Sequence, residues 1–297
     1  QTTKLPNYQT TKLPNYQTME IAPIPFCNKV AFNVRNEGCK TTYLKELFER
    51  YQVIATENSC SVYDRKYARL LTNQANYLLS ANTKGNRYYL YFRRDEFDKN
   101  MCLFIDRKVC RGYAQPRIIY TNFRMKPEIF DGTLLHGELV KVTDKNSQGE
   151  ERWFFLLNDI LAYCGRSVTK HNKLERIQFM YNFLTKQYKQ DDILDVCEFQ
   201  VKRYFTYDQL KEMTTQFIPI LPYQVNGLMF NSMYPSKADI LLLRNFKTAF
   251  KYTNQLSSQD QKYKKPQRVE SFESLRGINS VTKPAPKSAP KLTQKTV

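Results

Sequence analysis

Histidine and tryptophan are nearly missing from this chain: two histidines and one tryptophan occur among 297 residues. The seven cysteines (27, 39, 60, 102, 110, 164 and 197) are widely spread and form no Cys-x-x-Cys pair. That scarcity argues against a zinc site. No Ser-His-Asp or Cys-His arrangement stands out, so nothing indicates a nucleophilic hydrolase. No apolar run approaches the length of a membrane-spanning helix, so no membrane partner is expected. The polar, Thr/Asn/Gln-rich start has no signal-peptide pattern. An odd cysteine count without such a signal reads as reduced thiols in an intracellular, cytoplasmic protein, with the nucleus left open. Acid is also short, at 28 Asp and Glu against 46 Lys and Arg.

What is present is a core and a positive charge. Hydrophobic residues reach 41% and aromatics 14%, enough for one large domain or two small ones and too much for disorder throughout. The net charge of +18 favours nucleic acid or another polyanion as partner. Its plainer reading is a solubility charge with a sticky tail. Residues 248–297 carry ten Lys/Arg against three Asp/Glu, which leaves +11 on the rest.

The chain opens on a direct repeat, QTTKLPNY-QTTKLPNY, read over residues 1–18 as a disordered leader because it has no apolar period and a proline in each copy. Residues 40–51 place Tyr43, Leu44, Leu47, Phe48 and Tyr51 at helical spacing, and a second helix is expected at 61–73. Strand texture follows at 77–81, 88–92, 101–105, 134–142 and 153–157. A helix over 170–188 would put Leu174, Ile177, Met180, Phe183 and Leu184 on one face. A strand near 199–205, a helix at 207–215 and strands at 228–230 and 240–243 complete a domain expected over 19–252. The Gln/Ser/Lys/Pro-rich end, 253–297, reads as a disordered basic tail.

Six strings stand in order between residues 77 and 247. They are Asn82-Thr83-Lys84-Gly85-Asn86-Arg87, Ile105-Asp106-Arg107, LLHGELV at 134–140, RWFFLLNDILAYCG at 152–165, Asn226-Gly227-Leu228-Met229-Phe230, and Leu242-Leu243-Arg244-Asn245-Phe246. Together they resemble the nucleotidyltransferase (guanylyltransferase) domain of mRNA capping enzymes, more closely than the related ligases. The resemblance implies an α+β fold of the capping-enzyme/ligase type, with antiparallel sheets and flanking helices around a nucleotide cleft. It also implies a site: Arg87, Arg107 and Lys202 toward phosphate, Glu138 toward a ribose hydroxyl, and positions 82, 84, 136, 158, 226 and 244 in the binding motifs.

The departures from that pattern fall on chemistry. Where the family has its nucleophilic lysine this chain has Asn82, whose amide nitrogen has no free lone pair for attack. The aspartate two residues on is Lys84, the acid of the third motif is His136, and the base-stacking aromatic is Asn158. The acid of the fourth motif is Asn226, and the last strand keeps one cation, Arg244, while its second is Phe246. Fewer carboxylates weaken metal binding, so no cofactor is expected unless the chain is active, in which case magnesium is. Gly85, Gly137 and Gly227 remain, which suggests a pocket put to new use rather than decayed.

Each residue also has a plainer reading. Arg87 and Arg107 are phosphate forks or solvated strand ends, Glu138 a ribose contact or an ion pair, Lys202 a phosphate contact or a surface charge. His136 is a pH-sensitive contact or a hydrogen-bonded strand histidine, and Trp153 a stacking face or core. About fifty residues follow Phe246, too few and too irregular for a closing barrel, so no C-terminal OB domain is expected. The reading taken forward is an inactive guanylyltransferase-like module that binds capped RNA or a guanine nucleotide, with a protein partner in an mRNA-processing or translation complex left open. The alternatives are a divergent active guanylyltransferase using a relocated lysine such as Lys84, and a protein-interaction scaffold on the same fold.

Overall fold

The computed structural model describes residues 20–56, 60–143, 151–235 and 237–243. The leader, the tail, Arg244 and Phe246 lie outside the described residues. Among the described residues two sheets form the framework. The larger has nine strands: β1 (Ile21–Phe26), β2 (Lys29–Val34), β5 (Asn86–Arg94), β6 (Asn100–Asp106), β7 (Ile118–Thr121), β8 (Thr133–Thr143), β9 (Glu151–Tyr163), β10 (Arg166–Ser167) and β11 (Glu198–Val201). Its order is β1-β2-β7-β6-β5-β8-β9-β10, with β11 alongside β9. The smaller runs β3-β13-β12-β4, from β3 (Cys60–Val62), β4 (Tyr77–Thr83), β12 (Val225–Ser232) and β13 (Asp239–Leu243). The pairing is antiparallel except for β11 with β9 and β13 with β3, two parallel exceptions to the expected pattern.

Among the described residues four α-helical segments flank the sheets: α1 (Glu37–Tyr51), α2 (Ala68–Leu71), α3 (Lys173–Asn182) and α4 (Leu210–Glu212). Helix α1 starts where the Asn36 side chain accepts from the Cys39 amide, and it ends at Gln52 in the left-handed region. It buries Tyr43, Leu47 and Tyr51 beside Tyr89, Tyr91, Leu103 and Ile105 of the large sheet. Phe48, expected on that face, is half exposed. Helix α3 begins at 173 rather than 170 because Asn172 and Glu175 form a capping box. Ile177, Met180 and Phe183 are buried, with Leu174 and Leu184 packed at the margin. The expected helix at 61–73 resolves into β3, a 3-10 turn at Arg65–Tyr67 and the single turn of α2.

The hairpin β1–β2 has no counterpart in the sequence reading, because Pro23 and Pro25 argue against a strand. The register explains them. The Arg35 amide donates to the Glu20 carbonyl, so hydrogen-bonded pairs fall at 20, 22, 24 and 26, and Pro23 and Pro25 sit between them. Their missing N–H groups face the open edge of the sheet, where they obstruct further strand pairing.

Two of the retained glycines are required by packing. A Cβ on Gly137 would lie 2.6 Å from the Leu156 carbonyl oxygen and 2.6 Å from the Phe155 ring. A Cβ on Gly85 would lie 2.9 Å from the Leu139 carbonyl oxygen. Their retention therefore reports the close approach of β-backbones, and is not in itself a sign of a ligand.

Candidate functional site

The Lys84-Gly85 turn carries the chain from β4 in the small sheet to β5 in the large one. Strand β4 is buried on both faces: Tyr77, Leu79 and Ala81 pack with Phe205, Tyr207, Leu210 and Met213. The alternate residues Ser80 and Asn82 point the other way, toward the space between the sheets. Asn82 is paired with Gly227, and a register shift between Val225 and Gly227 leaves Asn226 bulged beside it. Positions 82 and 226, far apart in sequence, thus meet at one strand end.

Strands β5 and β8 supply the opposite wall. Arg87 pairs with Glu138 in register, and its Nε lies 3.4 Å from Glu138 Oε1 while its Nη2 donates to Asn82 Oδ1 at 3.2 Å. Lys202, just past β11, places Nζ 3.0 Å from Glu138 Oε2, and the Thr83 hydroxyl donates to the same oxygen. Burial alone would raise the Glu138 carboxyl, but Lys202, Thr83 and Arg87 overcome it and hold its pKa below the ordinary glutamate value. Burial lowers the Lys202 ammonium more than Glu138 restores it, with Arg87 and Lys173 adding to the effect. The plainer readings of Arg87 as a solvated strand end and Lys202 as a surface charge do not hold.

A second ion pair group stands on β9 and α3. Asp159 lies 3.1 Å from Lys173 and 3.3 Å from Arg176. The Asn158 backbone carbonyl accepts from Lys173 at 2.9 Å and from the Tyr204 hydroxyl. The side-chain Oδ1 of Asn158 is buried without a hydrogen-bond partner and borders the same space.

These groups enclose a void of about 30 Å³, room for one or two waters. Its walls combine Arg87, Glu138, His136, Asn158, Asp159, Lys173 and Lys202 with Cys60, Ser80, Met229, Asn231 and Asp239. Three cations there face three carboxylates, so the void itself is balanced; the surplus comes from Arg107 and Arg176 beside it. Among the described residues no three His, Cys, Asp or Glu side chains form a metal-binding group. Of the void's three acids, Glu138 and Asp159 already face ammonium or guanidinium groups and Asp239 accepts from the Ser232 amide, so the donor set does not suit a protein-held cation.

The family described as mRNA capping enzyme, catalytic domain, matches residues 55–247. The chain belongs to that family. It is also 25% identical over 177 residues to the mRNA-capping enzyme subunit alpha of Neurospora crassa, covering 57% of this chain and 44% of that protein. The chain therefore spans less than half the length of this relative.

Within the capping-enzyme domain, the sequence-chosen residues divide. Arg87, His136, Glu138, Asn158 and Lys202 border the void. Asn82 adjoins it through Arg87, Arg107 through His136, and Asn226 through the pairing of Gly227 with Asn82. Lys84 does not join them: it is exposed on the turn, its amide tied to the Gln224 carbonyl. The strand alternation that would have kept it beside position 82 ends at Thr83. Lys173, Asp159 and Asn231 were not singled out from the sequence. Asp159 follows directly on Asn158 and offered a signal, whereas a lysine in the first turn of a helix offered none.

His136 is the hydrogen-bonded strand histidine of the two readings. Its Nε2 lies 2.7 Å from Arg107 Nη1, and its ring is 5.3 Å from that of Tyr89. Burial and the cations Arg107, Arg87, Lys173 and Lys202 hold its pKa well below 6.5, so the neutral ring accepts from Arg107 through Nε2. Because the folded value is depressed, this group's contribution to stability is present above pH 6.5 and is lost as the pH falls through the window below it. Ring NMR signals of His136 should stay those of the neutral imidazole as the pH falls from 7 through 6.5 and below. His136→Asn should flatten the fall of unfolding free energy over that interval. A ring that titrates near 6.5 would contradict the assignment.

Tyr88, Leu90 and Phe92 fill one core, and Tyr89 and Tyr91 the other, so the aromatic run of β5 is packing on both faces. Trp153 is partly buried against the larger core. All seven cysteines are free.

Proposed function

We propose that this capping-enzyme domain binds the guanosine at the 5′ end of RNA, or a guanine nucleotide, without forming a covalent intermediate on the usual lysine position. One observation supports the reading: Asn82 lies on β4 opposite Gly227, its amide oxygen accepting from Arg87, and on the resemblance of residues 82–87 to the lysine motif it stands where the family has its nucleophile. An amide so placed has no nucleophilic lone pair. Around it the groups suited to hold a nucleotide persist. Arg87 and Lys202 offer charge-assisted donors to phosphate, Glu138 accepts from a ribose hydroxyl or guanine edge, and Asn158 brings an unsatisfied amide. The void takes only water as it stands, so entry of a nucleotide moves Arg87 and Lys202 off Glu138 and onto phosphate. Both side chains are long enough to exchange partners in this way.

A second reading is favoured by Lys202 and Lys173, which border the void where Lys84 does not. In a divergent guanylyltransferase, Lys202 Nζ would attack the α-phosphorus of GTP. Glu138 takes one proton from the Lys202 ammonium and frees its lone pair; a P–N bond forms, the bond to the bridging oxygen breaks, and pyrophosphate leaves with the second proton. Intact-mass measurement after incubation with GTP and magnesium separates the two. Unchanged mass with retained nucleotide binding supports the first reading. A GMP adduct mapped to Lys202 or Lys173 overturns it.

A further inference from the structure

The connection from β6 to β7, residues 107–117, reads RKVCRGYAQPR and contains four cations and no acid. Its base is fixed. The Arg107 amide donates to the Arg87 carbonyl, the Asp106 amide to the Arg117 carbonyl, and Gln115 Nε2 to Thr41 Oγ1 of α1 at 2.6 Å. Arg117 turns inward to the Tyr88 hydroxyl at 2.9 Å. At the tip, the Tyr113 amide donates to the Cys110 carbonyl, and Gly112 takes φ +88°, which closes a turn of the type that demands glycine at its third position. A Cβ on Gly112 would meet nothing within 4 Å, so the turn stands in open space. It presents Arg111 and Tyr113 outward, with Lys108 at its shoulder, and Tyr113 is 69% exposed. Lys108 and Arg111 enter no ion pair among the described residues.

This turn is continuous with the cleft. Its first residue, Arg107, contacts His136 on the wall of the void, and its backbone is tied to Arg87. Exposed cations beside one exposed aromatic, without acid between them, suit a flexible chain of phosphates and stacked bases. An acidic protein surface would use the cations and leave Tyr113 unexplained.

We infer that the 107–113 turn is a track for single-stranded RNA, taking the nucleotides that follow the 5′ end bound in the cleft. Arg111 and Lys108 face the phosphates, and Tyr113 stacks on a base. The inference rests on the cleft being a 5′-end site, and its test reads the two separately.

The test uses the full chain, a cap dinucleotide and a capped single-stranded RNA about a dozen nucleotides long. Lys108→Ala/Arg111→Ala/Tyr113→Ala should weaken the RNA at least about fivefold and leave the dinucleotide unchanged. Restoring the two cations but not Tyr113 should return the salt slope, which the triple variant lowers by about 1.4. These positions are exposed, so an unchanged melting temperature is expected and confirms folding. A triple variant that binds the RNA as tightly as the parent overturns the track. So does competition by polyglutamate as effective as by RNA of equal charge. Should the dinucleotide fail to bind the parent while the variant still loses RNA, the track stands and the 5′-end reading of the cleft falls.

Discussion

Gly137→Val should lower the melting temperature by roughly 6–12 °C, on the order of 3 kcal/mol for a domain of this size. The position lies on β8 beside the register shift in its pairing with β9, and the added Cβ would be 2.6 Å from both the Leu156 carbonyl oxygen and the Phe155 ring. The ring has little room to yield. Phe155 is fully buried and packs edge-on against Phe104 at 5.3 Å and Phe199 at 6.2 Å. The carbonyl is part of the β8–β9 backbone and moves only with the sheet. Valine adds two methyl groups beyond the clash that alanine already makes, so Gly137→Ala should fall between the parent and valine. Thermal unfolding followed by circular dichroism checks the order; a valine variant as stable as the parent would show that β8 and β9 do not approach so closely.

Glu138→Gln should cost about 3–5 kcal/mol, because it leaves Lys202 and Arg87 facing a neutral amide inside the protein. The carboxylate is 1% exposed; its Oε2 accepts from Lys202 and Thr83, and its Oε1 faces Arg87 Nε at 3.4 Å. The already lowered Lys202 pKa sets a limit on the loss, since that ammonium can shed its proton instead of staying charged and alone. A Glu138→Leu/Lys202→Met double variant removes both charges and should be more stable than either single change, the sign of coupling between the pair. Additive losses in chemical denaturation would mean the two residues do not interact as drawn. Acid should mimic the glutamine change. Glu138's folded pKa is depressed, so its contribution is present above 4.5 and is lost as the pH falls through the folded value.

The sequence made the central strands readable because their apolar content survives burial on both sides. Leu134–Val140 and Tyr88–Phe92 announce themselves regardless of partner. What it obscured had a local reason in each case. Pro23 and Pro25 hide an edge strand whose missing N–H groups face outward. The stretch at 61–73 has helical composition, yet Cys60–Val62 is drawn into parallel pairing with β13, a contact between residues about 180 positions apart.

The site was legible in part for the same kind of reason. Arg87 and Glu138, from two of the ordered motifs, are neighbours through strand register, and Lys202, chosen apart from those motifs, joins them by its contact with Glu138. Lys173 and Asp159 close the other side through an α3–β9 contact that no spacing rule discloses. The glycines read in the sequence as traces of a pocket are explained at 85 and 137 by backbone packing.

Titration of the full chain with GTP and a cap analogue, with ATP as control and the same samples taken to intact-mass analysis, tests the account most directly. The expected result is saturable binding of the guanine ligands, weakened at least about tenfold by Arg87→Met through loss of a charge-assisted contact, and no gain of mass with GTP and magnesium. A covalent GMP adduct, or guanine ligands bound no better than ATP, would contradict it.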